Sequence, residues 1–446
     1  MNAVLKPGFQ STPQQLNFPP LSLHHIMQVF KFGGASVNSV ERIRNLATIL
    51  GNYKGEKIMV IISAMGKTTN ALEKVTDAFF DGRQEDSLQL FQQVKKQHLD
   101  TAKFLLVTHY LACEKKLVDF FTEVEWLLHD KPVRDYDYYY DQIVCIGELL
   151  STSIISAFLE QEGLANQWLD VRDIFRTDDD FRDASILWEF TEDKVKNEVV
   201  EIFNKKDLMI TQGFIGSTDE NESTTLGREG SDYSAAVFAH MMDAEKLVIW
   251  KDVESVMNAD PRQFPEAVAI HYLSYNEVIE MAYYGAQVIH PKTIKPLQNK
   301  NIPLYVKCFA DPSLEGTLIA DHPVKNLPPI IVLKEKQVMI KFNVLDFSFV
   351  GEHHIGELYS LFNQLHVKPH LTQNAAISFL VILDNKADKI EKLAIQASDT
   401  FDVEVVRNLS LLTIRHYDEN ILNKMLEGKN ILLRQQTKKT IQVLYY

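Results

Sequence analysis

The stretch VIISAMGKTTN, residues 60–70, decides the fold. Val60, Ile61 and Ile62 continue the run KIMVIIS, an apolar segment without polar alternation, as expected of a strand covered on both faces. Within four residues the text turns polar, and a helical pattern begins near Ala71. Gly66-Lys67-Thr68 is the second half of a phosphate-binding P-loop, but that loop needs a glycine five residues ahead of Gly66, where Ile61 stands. The segment therefore reads as strand, short polar turn and helix. Its turn is too short to wrap a triphosphate.

Outward from this unit the same alternation recurs. MQVFKF, NQWLDV, DLMITQGFIG and KLVIWKDV read as strands. VERIRNLATILGNY, ALEKVTDAFFDG and ELLSTSIISAFLEQEG read as helices, the last stopped by Gly163. Strands alternating with helices predict an α/β three-layer αβα sandwich around a mainly parallel sheet, with ligands at the carboxyl ends of the strands. Prolines cluster in HPVKNLPPI, residues 322–330, and the pattern then changes. QVMIKFNVLDF, a helix with Ile355, Leu358, Phe362 and Leu365 on one face, AISFLVIL, a helix near Ala387–Ser398 and FDVEVVRN give strand, helix, strand, helix, strand, a small α+β unit. Leu409 to Tyr446 adds a strand, a short helix and two strands.

The 446 residues are 46% hydrophobic and 24% charged, room for two or three globular domains. A net charge of −14 argues against a nucleic-acid footprint. Cys113, Cys145 and Cys308 are few and widely spaced, which indicates neither a disulfide framework nor a zinc site and fits a reducing cytoplasm. No apolar run is expected to approach the roughly twenty residues of a membrane span. Residues 1–26, rich in Pro and Gln, read as a disordered extension, with Met27 as an alternative start.

Three strand ends carry candidate chemistry. Lys31 precedes Gly33-Gly34, where unhindered backbone N–H groups can approach an anion and a lysine can neutralise it. Residues 213–239, GFIGSTDENESTTLGREGSDYSAAVFA, form a long polar loop with Arg228, able to clamp a carboxylate, and Asp232 opening a helix. Lys251 and Asp252 end a strand ahead of Asp260-Pro261-Arg262. Asp178, Asp179 and Asp180 read as a solvated loop, and YDYYYD, residues 136–141, as an exposed or dimer-facing patch. His290, His353 and His354 lack partners at metal spacing, so no metal site is assigned.

KFGGAS, SAMGKTTN, GELLS, TTLGREGSD, KDVESVMNADPR and YGAQVIHP occur in the order and at the spacing of the aspartate kinases, and the chain resembles that family from Met27 to about Ala320. The tail resembles the ferredoxin-like ACT regulatory domains. The resemblance implies an amino acid kinase catalytic domain over 27–325 and an ACT-like region over 326–446. That region would hold one full unit at about 337–407 and an abbreviated one at about 408–446. It implies ATP-dependent phosphorylation of the L-aspartate β-carboxylate, the first step of lysine, threonine and methionine biosynthesis. Lys31 and Asp232 would be catalytic. Ser63, Thr69, Glu148, Thr225 and Arg228 would bind aspartate, with Glu148 on its ammonium group. Lys31, Gly33, Gly34, Lys251, Asp252, Met257, Arg262, Gln287 and Val288 would hold ATP, with Mg2+ carried mainly by its phosphates. A homodimer or homotetramer is implied, with an amino-acid effector in the ACT-like region and no membrane or nucleic-acid partner.

Four departures stand out. Glu229 replaces the second glycine of R-G-G-S-D, Gln287 a lysine, and Lys251 a threonine, so that Lys251 is expected to restore the charge lost at Gln287. Asn374-Ala375-Ala376-Ile377-Ser378 replaces an effector-binding Ser-Glu-Val-Ser pattern, which points to weak regulation by lysine or threonine. Rival readings are a relative acting on glutamate, N-acetylglutamate or UMP, and a catalytically silent amino-acid sensor. No fused homoserine dehydrogenase is expected.

Overall fold

The structure, a computed structural model, describes residues 27–446 except Gln287 and Phe347. The expected extension over 1–26 and the nucleotide contact at Gln287 lie outside the described residues.

An eight-stranded sheet runs in the order Tyr272–Ser274, Thr317–Ala320, Leu304–Cys308, Lys246–Lys251, Met27–Phe32, Lys57–Ile62, Leu208–Gln212, Asn166–Leu169. Its neighbours pair in parallel except Leu304–Cys308 with Thr317–Ala320. Helices pack against it, giving the expected αβα arrangement. The continuous apolar runs explain this: Val29, Phe30, Phe32 and Ile58 to Ile62 are all buried. Phe32 stacks on Trp250 at 5.9 Å, locking two adjacent strands by their side chains.

The register sets Lys31 beside Ile61 on one flank and Ile249 on the other. Parallel pairing thus brings the carboxyl ends at Phe32, Ile62 and Lys251 to one edge, where the polar loops gather. The helix after the quoted stretch begins at Thr68, three residues earlier than expected. Met65 explains the early start, because its carbonyl accepts bonds from both the Thr68 N–H and the Thr68 hydroxyl.

The helices Tyr136–Val144 and Ile146–Gln161 follow one another almost without a break, and residues 136–161 are long and apolar enough to span a bilayer. This corrects the expectation about apolar runs. With 89% of its most apolar window buried inside the protein, the stretch is a core helix.

The tail forms a six-stranded sheet, ordered Leu371–Asn374, Ser378–Asp384, Ile330–Val344, Phe401–Arg415, Thr440–Tyr445, Ile431–Gln436. Its first half is strand, helix, strand, strand, helix, strand, the ferredoxin-like order, which corrects the single central strand read from the sequence. Leu371–Asn374 was illegible because only Leu371 in it is buried. The strand ahead starts at Ile330 rather than Gln337, with a register shift between Lys334 and Gln337 and Lys336 at φ 54°. Phe401–Arg415 likewise continues past Asn408 at φ 62°.

Those two irregularities separate two cores along the same pair of long strands. One gathers Val338, Phe342, Leu358, Phe362, Phe379 and Phe401. The other joins Ile331, Leu412, Ile414, Leu422 and Val443 to Ala259 and Phe264, which precede the tail in the chain. Arg415, almost fully buried, donates to Glu277 at 2.7 and 3.1 Å and to Glu280 at 2.6 Å, fixing the tail sheet to the helix Tyr275–Tyr284. Removing one member of such a buried pair costs about 3–5 kcal/mol.

Candidate active site

Lys31 leaves its strand with its ammonium group pointing to Asp232, 2.6 Å from Oδ1. The following Gly33 and Gly34 lead into a short 3-10 turn, Gly34–Val37, before the helix Val40–Gly51 starts at its Ser39 cap. The turn therefore stands between Gly33 and that helix. Gly34 has no room for a side chain, since a Cβ there would lie 2.5 Å from the Ala64 carbonyl oxygen. That contact presses the first two strand-end loops together, with Gly66 N–H donating to Gly34 O at 2.9 Å.

Asp232 lies in the first turn of the buried helix Gly230–Met241. Burial pushes its carboxyl upward, but Lys31 and Lys251 outweigh that and hold it below the usual carboxylate range. Lys251 Nζ is 3.8 Å from Asp232 Oδ2 and donates to Val288 O at 2.6 Å. One carboxylate thus fixes two ammonium groups arriving from separate strand ends.

These groups open into a cleft of about 450 Å3, lined by Lys31, Gly34, Ser63, Thr69, Glu148, Thr225, Arg228 and Asp232 among others. Eight of the expected site residues are therefore brought together. Glu148, 2% exposed, accepts the Ala64 N–H on Oε1 at 3.3 Å, while Oε2 is buried without a partner. Burial pushes its carboxyl up to about 8, opposed by the Ala64 bond and by Lys31. The site therefore presents one buried carboxyl whose Oε2 lacks a partner, with exposed Arg228 also lining the cleft.

Gly33, Lys251, Val288, Asp252, Met257 and Arg262 do not line the cleft. Asp252 pairs with Arg42, Met257 Sδ accepts the Ser255 hydroxyl at 3.6 Å, and Arg262 folds back onto Asp260 at 2.7 Å. They belong to the segment that leads into the second tail core.

The sequence reading missed four contributors. Asp141, wholly buried, accepts Thr225 N–H at 2.8 Å, Thr225 Oγ1 at 2.6 Å and Arg182 N–H at 2.9 Å, so it places two wall segments at once. Tyr140, Arg182 and Phe214 line the cleft. YDYYYD is thus not an exposed patch: Tyr139 and Asp141 are buried and Tyr140 faces the site. The signal available was the spacing of Tyr139, Ile143 and Val144 on one face of a short helix, which an all-tyrosine motif obscures.

The profile of the amino acid kinase family matches residues 27–308, and the chain belongs to that family. It is 31% identical over 366 residues to aspartokinase 2, chloroplastic, of Arabidopsis thaliana, an alignment covering 80% of this chain and 66% of that one. It is 27% identical to lysine-sensitive aspartokinase 3 of Escherichia coli strain K12, covering 86% of each. A crystal structure of E. coli aspartokinase III with aspartate and ADP superimposes with a TM-score of 0.79 at 25% identity, covering 94% of this chain and 96% of that chain. The chain spans less than two thirds of the plant relatives' length, down to 32% for a bifunctional aspartokinase/homoserine dehydrogenase 2 of Arabidopsis.

Proposed function

We propose that the chain is an aspartate kinase, transferring the γ-phosphoryl group of ATP to the β-carboxylate of L-aspartate to give 4-phospho-L-aspartate and ADP, the first step toward lysine, threonine and methionine. The observation that carries this reading is the presence, in one cleft, of the buried Glu148 carboxyl, whose Oε2 lacks a partner, together with Arg228. A free amino acid needs both signs of charge. Glutamate, N-acetylglutamate and UMP satisfy the pair less well, by length, by a blocked amine or by lack of one.

In this reading a β-carboxylate oxygen attacks the γ-phosphorus, the bond to the ADP oxygen breaks, and no proton has to move. The protein's task is to align two anions and to stabilise charge on the transferring group. Lys31 and the Gly34 turn hold that group, and Asp232 keeps Lys31 and Lys251 aimed. Glu148 takes the ammonium group, Arg228 the α-carboxylate, with Ser63, Thr69 and Thr225 around them. Asp252, Met257, Arg262, Gln287 and Val288 remain assigned to the nucleotide, the first three requiring its arrival to turn them inward.

Mg2+ supplies charge neutralisation to the triphosphate when bound. Among the described residues no group of three His, Cys, Asp or Glu is placed to cage a metal, and Asp232 is already flanked by two lysines. The ion is therefore expected to ride on the phosphates.

Residues 326–446 are proposed as the regulatory region, an ACT-like unit at about 337–407 and an abbreviated one at about 408–446 that borrows Ala259 and Phe264 to complete its core. The relative solved with lysine and aspartate motivates an effector test, while exposed Asn374–Ile377 favours weak binding. Pairing of exposed sheet edges between chains would give a dimer or tetramer. The three buried, unpaired thiols fit a reducing cytoplasm.

Coupled ADP release with L-aspartate, ATP and Mg2+ tests the assignment, with Lys31→Ala and Asp232→Ala as controls. A catalytically silent sensor would bind aspartate and release no ADP.

A further inference from the structure

Arg182 lies in a stretch whose three aspartates read as a solvated loop, yet the residue lines the cleft. Its backbone is left-handed at φ 74°, a conformation strained for any residue with a Cβ. Such strain persists only where the surroundings over-determine it. Here Asp141 accepts the Arg182 N–H, and the next two residues are tied to the opposite wall. Ala184 N–H donates to Thr225 O at 3.0 Å. Asp183 and the Arg182 carbonyl close on Gly227, where a Cβ would lie 2.4 Å from Asp183 Oδ1 and 3.3 Å from Arg182 O.

Gly227 immediately precedes Arg228, and both arginines line the same cleft. The Arg182 guanidinium lies over the Tyr140 ring, 4.4 Å from its centroid, and donates from Nη1 to Asp137 at 2.9 Å. Among the described residues Asp137 is its one hydrogen-bonding partner, which leaves most of its five N–H donors for a ligand.

We infer that Arg182 is a second carboxylate-binding residue, sharing the substrate α-carboxylate with Arg228 at the end of the cleft away from Lys31. Its connections run to Thr225 and Gly227 rather than to the Lys31–Asp232 pair. It also supplies a positive charge that offsets Glu229, which lines the same cleft. The inference rests on the proposed aspartate kinase activity and deepens it by naming a determinant of substrate affinity.

The test compares Arg182→Gln and Arg182→Gly with the unmodified protein, using L-aspartate and its α-amide as phosphoryl acceptors. Loss of a charged hydrogen bond predicts an aspartate KM raised about tenfold or more, with a much smaller change in kcat. For the α-amide, which lacks the α-carboxylate, the same substitutions are expected to change KM by less than about threefold. Arg182→Gly relieves the left-handed strain, so its thermal midpoint is expected to rise while its aspartate KM rises as well. An unchanged aspartate KM, or an equal loss for both acceptors, overturns the inference while leaving the kinase reading intact. Absence of aspartate-dependent ADP release from the unmodified protein overturns both.

Discussion

The ammonium group of Lys31, at the end of a central strand, lies 2.6 Å from Asp232 Oδ1 in the first turn of a buried helix, and Lys251 approaches the other oxygen of the same carboxylate at 3.8 Å. This three-membered arrangement makes Asp232 an organiser of two positive charges. Lys31→Ala and Asp232→Asn are each expected to lower kcat about 10²–10³-fold, and the double variant to lose little more than either alone. Steady-state kinetics check this. Additive losses would mean that the pair does not act as a unit.

Lys251 ends a central strand, and its Nζ already has Val288 O and Asp232 as neighbours. Lys251→Ala is expected to raise the ATP KM by about tenfold and to lower turnover, while the aspartate KM moves little. An unchanged ATP KM and turnover would remove Lys251 from the nucleotide site.

Glu148 gives the pH dependence. Burial raises its folded-state pKa from 4.5 to about 8, so the folded protein keeps a proton that the unfolded chain releases. That contribution to stability is full below about 4.5 and is lost as pH rises through about 8. Asp141, pushed up to about 6 by burial, acts with the same sign at lower pH. The thermal midpoint of the free protein is therefore expected to fall between pH 6 and 8, and Glu148→Gln to flatten that fall. Aspartate binding needs the ionised carboxylate, so its dissociation constant should tighten by about tenfold from pH 7 to 8.5. A pH-independent dissociation constant, measured by calorimetry, would contradict this.

The fold was legible because its strands are dominated by apolar residues, and Val29, Phe30, Phe32 and Ile58 to Ile62 could be buried only between two layers. Lys31, Glu148, Arg228 and Asp232 were legible because each lies within a quoted motif. Tyr140, Asp141 and Arg182 were not, since their part in the cleft depends on a helix and a loop that meet only in three dimensions. The Leu371–Asn374 strand and the bulges at Lys336 and Asn408 escaped for a related reason. An edge strand with one buried side chain, or a break inside a long strand, leaves almost no periodic trace.

Glu229 joins sequence and strain. It caps the Gly230–Met241 helix at φ 55° and ψ 28°, a left-handed conformation that suits glycine, and its buried Oε2 has no partner. Glu229→Gly is expected to raise unfolding stability by about 1 kcal/mol and to lower the aspartate KM, because a negative charge beside Arg228 disappears. Denaturant unfolding and initial-rate kinetics read the two effects separately. A less stable variant would show that the Glu229 side chain contributes more than its backbone conformation costs.

The most direct test of the central claim is to trap the product. The protein incubated with ATP, Mg2+ and L-aspartate is treated with hydroxylamine, which converts an acyl phosphate to a hydroxamate. The account predicts aspartyl β-hydroxamate in amounts matching the ADP released, and none with Lys31→Ala. Hydroxamate formed only from glutamate or N-acetylglutamate, or no acceptor-dependent ADP at all, would contradict it.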